Sequence, residues 1–191
     1  MLNNLTALLD SGAAPVVGDY ESISSTSGTG SSATITLSSI PSTYKHLQLR
    51  MLVKGTSTLG GYATLCRLNF NSDTTATNYY THYLLGDGST ASAGAANTFQ
   101  SYAFASTGSI TSANGAYSVH VIDILDYANT NKYKTVRALT GVDTNGNGGV
   151  VLGSMLWKDT TAINSLTFSN TDATYFGNFT TGSRFALYGV K

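Results

Sequence analysis

The side chains that could do acid–base or metal chemistry are few, and their spacing limits what each can do. Glu21 is the single glutamate among ten acidic residues in 191. Glycoside hydrolysis uses two carboxyls facing one bond. Asp123 and Asp126 stand three apart in an alternating run, a spacing that sends them to opposite faces of a strand. Only distant aspartates gathered by the fold would make such a pair. His46, His82 and His120 show no metal-ligand spacing of the H-E-x-x-H kind, so a zinc site would need histidines from different strands. Cys66 is the only cysteine, which rules out an intrachain disulfide and a cysteine zinc site; in its alternating context it reads as a small buried apolar residue. There is no G-x-S-x-G nucleophile turn. The expectation is a chain without catalytic residues, metal or cofactor.

Two glycine stretches, Gly28-Gly30-Ala33 and Gly86-Gly88-Ala91, have the spacing of a dinucleotide-binding turn with alanine last. That chemistry needs a helix whose N-terminus meets the pyrophosphate. A strand pattern, Thr34 to Leu37, follows the first, and a Ser/Ala/Gly stretch that reads as loop follows the second, so both are expected to be turns. Asp143, Asn145, Asn147 and Gly148 match the first half of a calcium loop, but Ser154 stands where the closing glutamate belongs. An Asn/Gly hairpin turn accounts for the same residues. The remaining lead is aromatic. With twelve Tyr, seven Phe and one Trp, the chain can furnish a core and still leave tyrosine at the surface, where it serves subunit interfaces and sugar binding alike. Tyr79, Tyr80 and Tyr83 form the densest cluster and are the candidates for a glycan or subunit contact, with core packing as the alternative.

These residues must be positioned by strands. Leu47, Leu49, Met51 and Val53 point one way while Gln48, Arg50 and Lys54 point the other. Similar runs cover Tyr20 to Ser24, Ala33 to Ser38, Ala63 to Phe70, Thr98 to Ala105, Tyr117 to Leu125, Lys134 to Gly141, Val150 to Trp157, Ser165 to Ser169 and Arg184 to Val190. Tyr79 to Leu85 fits a short helix as well as a strand. Short strands joined by Gly-, Ser-, Thr- and Asn-rich turns imply an all-β, antiparallel β-sandwich of jelly-roll type. Ahead of it, Leu2, Leu5, Leu8 and Leu9 follow one helical face, with Asn3 or Asn4 as cap, Gly12 as stop and Pro15 beyond. Two turns of helix do not hold in isolation, so the leucines dock, on their own domain or on a partner. The expected organisation is an arm over 1–17 and one sandwich domain over 18–191.

Composition narrows the function. Ten basic and ten acidic residues leave no net charge, and only 10% of residues are charged, while Ser and Thr make up about a quarter. A neutral chain lacks the cationic field that phosphates require, so nucleic-acid binding is not expected. No apolar run reaches the ~18 residues of a membrane span, and the first basic residue is Lys45, so neither membrane insertion nor a secretory signal is expected. Synthesis in a reducing cytoplasm fits both.

The order of several blocks carries a resemblance: Gly18-Asp19-Tyr20-Glu21-Ser22-Ile23, then Ile40-Pro41-Ser42-Thr43-Tyr44-Lys45-His46-Leu47-Gln48-Leu49-Arg50, then Leu68-Asn69-Phe70-Asn71-Ser72 with Asn78-Tyr79, and finally Gly182-Ser183-Arg184-Phe185-Ala186-Leu187-Tyr188-Gly189-Val190-Lys191. Taken together they resemble the small virion structural proteins of tailed bacteriophages, the capsid-decoration and tail-fibre proteins. The resemblance implies a non-enzymatic, jelly-roll-like protein, a homotrimer exposed on the virion surface, whose partners are other virion proteins of capsid or tail. The length of 191 residues, without a fibrous repeat, favours a decoration or cement protein held by the arm; a fibre module binding host-surface glycan is the alternative.

Overall fold

The computed structural model describes residues 19–57, 66–96, 116–143, 148–170, 173 and 176–191. The helix expected around Leu2, Leu5, Leu8 and Leu9, the strand expected over Thr98 to Ala105, and Asn145 and Asn147 lie outside the described residues. Within them the chain is all-β. The strands are β1 (Tyr20–Ser27), β2 (Thr34–Leu37), β3 (His46–Val53), β4 (Cys66–Phe70), β5 (Tyr79–Gly86), β6 (Ala91–Ala96), β7 (Ser118–Leu125), β8 (Lys134–Asp143), β9 (Gly148–Trp157), β10 (Leu166–Asn170) and β11 (Arg184–Val190).

They form two antiparallel sheets, one of eight strands in the order β1-β11-β3-β7-β8-β9-β5-β6 and one of three in the order β2-β10-β4. The chain leaves the wide sheet three times to lay one strand in the narrow sheet and then returns. Period two decides which side chains meet between them. In β3, Leu47, Leu49, Met51 and Val53 are buried while Arg50 and Leu52 face solvent, as the alternation predicts. Phe168 of β10 reaches across to Phe185 of β11, with ring centres 6.0 Å apart, and to His120 of β7, 6.1 Å away. Phe70 of β4 lies 5.3 Å from Trp157 of β9. Phe176 and Phe179, from the segment before β11, complete the aromatic layer.

Tyr79 to Leu85 is strand, paired on both sides, with Tyr83 opposite Gly153 and Gly94. The loop expected after Ala91 is a correction: Ala91–Ala96 pairs with β5 residue by residue. Alanine and glycine are poor strand formers alone, and here the tertiary ladder overrides that preference. Gly88, at φ +90°, makes the tight turn between β5 and β6, and Gly30, at φ +80°, turns the chain before β2. Both glycine stretches therefore lead into strands, and neither offers the helix N-terminus that a pyrophosphate needs. The pairing of β8 with β9 runs out to Asp143 and Gly148, the geometry of a hairpin.

Polar groups inside this core are held in place. Asp73 accepts from Trp157 Nε1 at 2.7 Å, Asn78 Nδ2 at 2.9 Å and the Thr75 amide at 2.9 Å, while its own carbonyl accepts from Tyr79 Oη and Asn69 Nδ2. Partial burial alone would raise its pKa, but these donors outweigh it and hold the carboxyl below the usual range. The buried Lys134 donates to the carbonyls of Asn129, Lys132 and Thr160 at 2.6, 3.0 and 3.1 Å, tying two loops together. His120 is fully buried with Nε2 2.9 Å from Ser118 Oγ. Its Nδ1 and the Thr140 Oγ1 opposite it in the ladder have no hydrogen-bond partner among the described residues.

Burial pushes the His120 pKa down to about 3, so the ring is neutral in the fold. The unfolded chain takes up a proton below its ordinary value of about 6.5. The stability contribution of the neutral ring is therefore complete above that value and lost as pH falls towards 3. Between pH 7 and pH 5 this one residue should cost about 2 kcal/mol, using ~1.36 kcal/mol per pKa unit. Chemical denaturation of wild type and His120→Leu at both pH values checks it: the wild type should lose about 2 kcal/mol more than the variant, and equal losses would contradict the assignment.

Candidate functional site

The wide sheet has an inner face on the core and an outer face without a second layer among the described residues. Register fixes the rows of that outer face. One row runs Leu52, Val119, Gly141, Val150, Gly86, Ala91 across six strands. The next runs Arg50, Val121, Leu139, Leu152, Leu84, Ala93. Outward positions of a one-sided sheet are normally polar. Here Leu52, Val119, Leu139, Val150, Leu152 and Leu84 occupy them, each 45–59% exposed. Two shallow depressions flank Leu84 and Leu152; His82, Arg137 and Ser154 border one, and Leu139, Val150 and Ala91 the other. By strand spacing the two rows span roughly 300 Å² over five strands, within the size range of apolar patches that often serve binding.

A polar row bounds the field. Tyr188, Gln48, Asp123, Arg137, Ser154 and His82 are successive partners across β11, β3, β7, β8, β9 and β5. Gln48 Nε2 donates to Asp123 Oδ1 at 2.7 Å, and the Arg137 guanidinium donates to Asp123 Oδ2 at 2.7 Å through Nη2 and 3.2 Å through Nε. Burial would raise the Asp123 pKa; Gln48 and Arg137 overcome that and hold it below the usual range. Arg50 donates to Gln48 Oε1 at 2.6 Å and lies over the rings of Tyr188 and Tyr20, 4.9 and 5.2 Å from their centres. Asp123 and Arg137 are thus paired with each other, while Arg50 is held by Gln48 and two rings. Asp126 sits past the end of β7 at φ 48°, where Lys132 Nζ approaches to 2.5 Å and His46 Nδ1 accepts its amide. The two aspartates do not meet.

The three tyrosines expected to form one contact are separated by the pleat of β5. Tyr79 is fully buried; its hydroxyl accepts from the Phe70 amide at 3.2 Å and donates to the Asp73 carbonyl at 3.1 Å, and burial pushes its pKa up to about 12. It is a core residue without a surface to offer, which corrects that part of the expectation. Tyr80 faces outward beneath the Lys158 ammonium, 4.7 Å from its ring centre. Tyr83 faces inward over Gly94, where an added Cβ would lie 2.5 Å from the tyrosine ring. The leucines of the expected arm, Leu2, Leu5, Leu8 and Leu9, lie outside the described residues. Cys66 is buried, and burial pushes its thiol pKa up, as befits an inert core residue. Among the described residues no group of three or more His, Cys, Asp and Glu is placed to hold a metal ion.

The aliphatic face was not singled out by sequence reasoning, although its signal is present. Val119 and Val121 stand at the outward positions of β7, and β9 reads as a near-continuous apolar run through Val150, Val151 and Leu152. Strands with both faces apolar are strands covered on both sides. Because these side chains are half exposed in the single chain, Leu139→Ser and Leu152→Ser, compared with wild type at dilutions where the chain is monomeric, should each change unfolding free energy by less than about 0.5 kcal/mol while lowering fluorescence of a dye that binds apolar surface. A loss of about 2 kcal/mol or more would show them to be core residues. Compared with known proteins, the chain matches no family model and no curated protein.

Proposed function

We propose that the protein is a non-enzymatic structural subunit of a bacteriophage virion, a decoration or cement protein of the capsid surface. The aliphatic outer face of the wide sheet carries this reading. A protein working alone in water leaves only modest apolar patches uncovered, whereas an assembly subunit keeps such a face for its neighbours. The order of sequence blocks resembling small tailed-phage virion proteins supports it, as does a two-sheet antiparallel architecture compatible with a jelly-roll-like sandwich. Low charge fits as well, since many copies sit close together on a shell and like-charge fields would repel them. The residues 1–17, in which the spacing of Leu2, Leu5, Leu8 and Leu9 fits one helical face, supply part of the grip on the particle, and a homotrimer is the assembly unit.

Counting copies on purified particles tests the reading. One set of copies per capsid lattice position is the expected result; a handful at the tail would overturn it in favour of a fibre module that binds host-surface glycan. For the arm, Leu5→Ser combined with Leu8→Ser should release the protein from particles and leave the cooperative unfolding of the domain unchanged. Loss of folding in that variant would show that the leucines belong to the domain's own core.

A further inference from the structure

We infer that the aliphatic face of β7, β8, β9, β5 and β6 is covered by a second copy of this chain. The inference rests on the reading of that face as an assembly surface and names its occupant. Width is the first argument. Five strands at ~4.8 Å by eight residues at ~3.3 Å give a face of roughly 600 Å², of which the two aliphatic rows are about half and the polar row beside them is rim. That equals the area, ~600–1,000 Å², which each partner contributes to a specific interface. A single helix, about 10 Å across, covers two strands when laid along them or the two aliphatic rows when laid across them, and in either case leaves about half of the face wet. A surface of sheet dimensions is needed, and the chain carries one.

Charge is the second argument. Arg137 and Asp123 neutralise each other within the face, and the chain has no net charge, so nothing there selects a charged partner and nothing repels a like one. The relief of the face is the third. Leu139, Leu152 and Leu84 form an unbroken ridge in one row, while in the neighbouring row Gly141 and Gly86 leave notches beside Val119 and Val150. Neither glycine is demanded by its own chain. Both lack the positive φ that excludes side chains, and an added Cβ would meet only Gly149 O at 3.7 Å or Val150 Cγ1 at 3.8 Å, ordinary contacts. A strand glycine unexplained by its own fold marks close approach from outside. Ridge and notches on one face are complementary to the same face of another copy, and sheets packed face to face interdigitate in this way.

Light scattering on the purified full chain, with sedimentation across a concentration series up to about 100 μM, is the test. The expected mass is an even multiple of 20.0 kDa, because a face packed on the same face joins copies, or trimers of them, two by two; a lone trimer would overturn the inference. Leu139→Lys combined with Leu152→Lys should give a monomer that still melts cooperatively, at a temperature lower only by the stabilisation that association lent the folded chain. Gly141→Val, which fills a notch from within, should weaken association at least tenfold and leave the melting temperature of the dilute monomer unchanged, and it reads the interface even where the lysine variant fails to fold. A monomeric wild type, or an oligomer indifferent to both changes, overturns the inference. The two readings fail separately: a monomer that still attaches to particles removes the copy-to-copy contact and leaves the virion role standing, while an oligomer absent from particles does the reverse.

Discussion

The structure depends on the aromatic layer between two sheets of unequal width. Phe168 projects from the middle strand of the narrow sheet into rings from the wide one, touching His120 on β7, Phe185 on β11 and Phe179 on the connecting segment. Three strands cannot cover eight. The remaining inner surface is closed by side chains from connections, including Ile40, Tyr127, Ile163 and Phe176, all buried. That arrangement explains why the loops carry so much fixed hydrogen bonding. Asp73 anchors the β4–β5 connection to Trp157, Lys134 joins the β7–β8 connection to the one after β9, and Tyr127 Oη donates to the Pro41 carbonyl. Loops that serve as core walls need defined positions, and buried hydrogen bonds supply them.

Placing polar groups in such a core has a consequence for acid tolerance. His120 occupies an inward position of β7 among rings and aliphatics, a place where the charged imidazolium is strongly disfavoured. The carboxylates behave differently. Asp73 and Asp123 keep their charge because donors surround them, so their contributions persist until pH falls through their depressed pKa values. Acid therefore acts first on the histidine and then on the carboxylates that fasten loops and the outer polar row.

Most of the strand positions were legible because period two is a backbone property. β3 and β11 begin and end within a residue of where Leu47 to Lys54 and Arg184 to Val190 place them. β6 was illegible because alanine, serine and glycine have no pattern of their own; its strand state comes from pairing with β5. The tyrosine cluster misled for a related reason. Adjacency in sequence is separation in a strand, so Tyr79 and Tyr80 point to opposite sides of one sheet. The aliphatic face drew on residues from five strands, and only register brings Val119, Leu139, Leu152 and Leu84 together. Alternation shows which side chains share a face of one strand; it does not show which strands lie side by side.

Register also gives the hydroxyl surplus a location and the molecule a direction. On the narrow sheet the outward positions are Thr34, Thr36 and Thr167, with the hydroxyls of Thr36 and Thr167 3.2 Å apart across the ladder. On the wide sheet the edge strand β1 turns Ser22, Ser25 and Ser27 outward, and moving inward along the sheet the same face becomes aliphatic from β7 onward. One outer surface is thus hydroxyl-lined, and the other is aliphatic over β7, β8, β9, β5 and β6. Small hydroxyl residues hydrate a surface with little side-chain entropy and no net field. The threonine face and the leucine ridge stand on opposite sides of the same aromatic layer, one suited to water and the other, on the proposed reading, to neighbouring subunits.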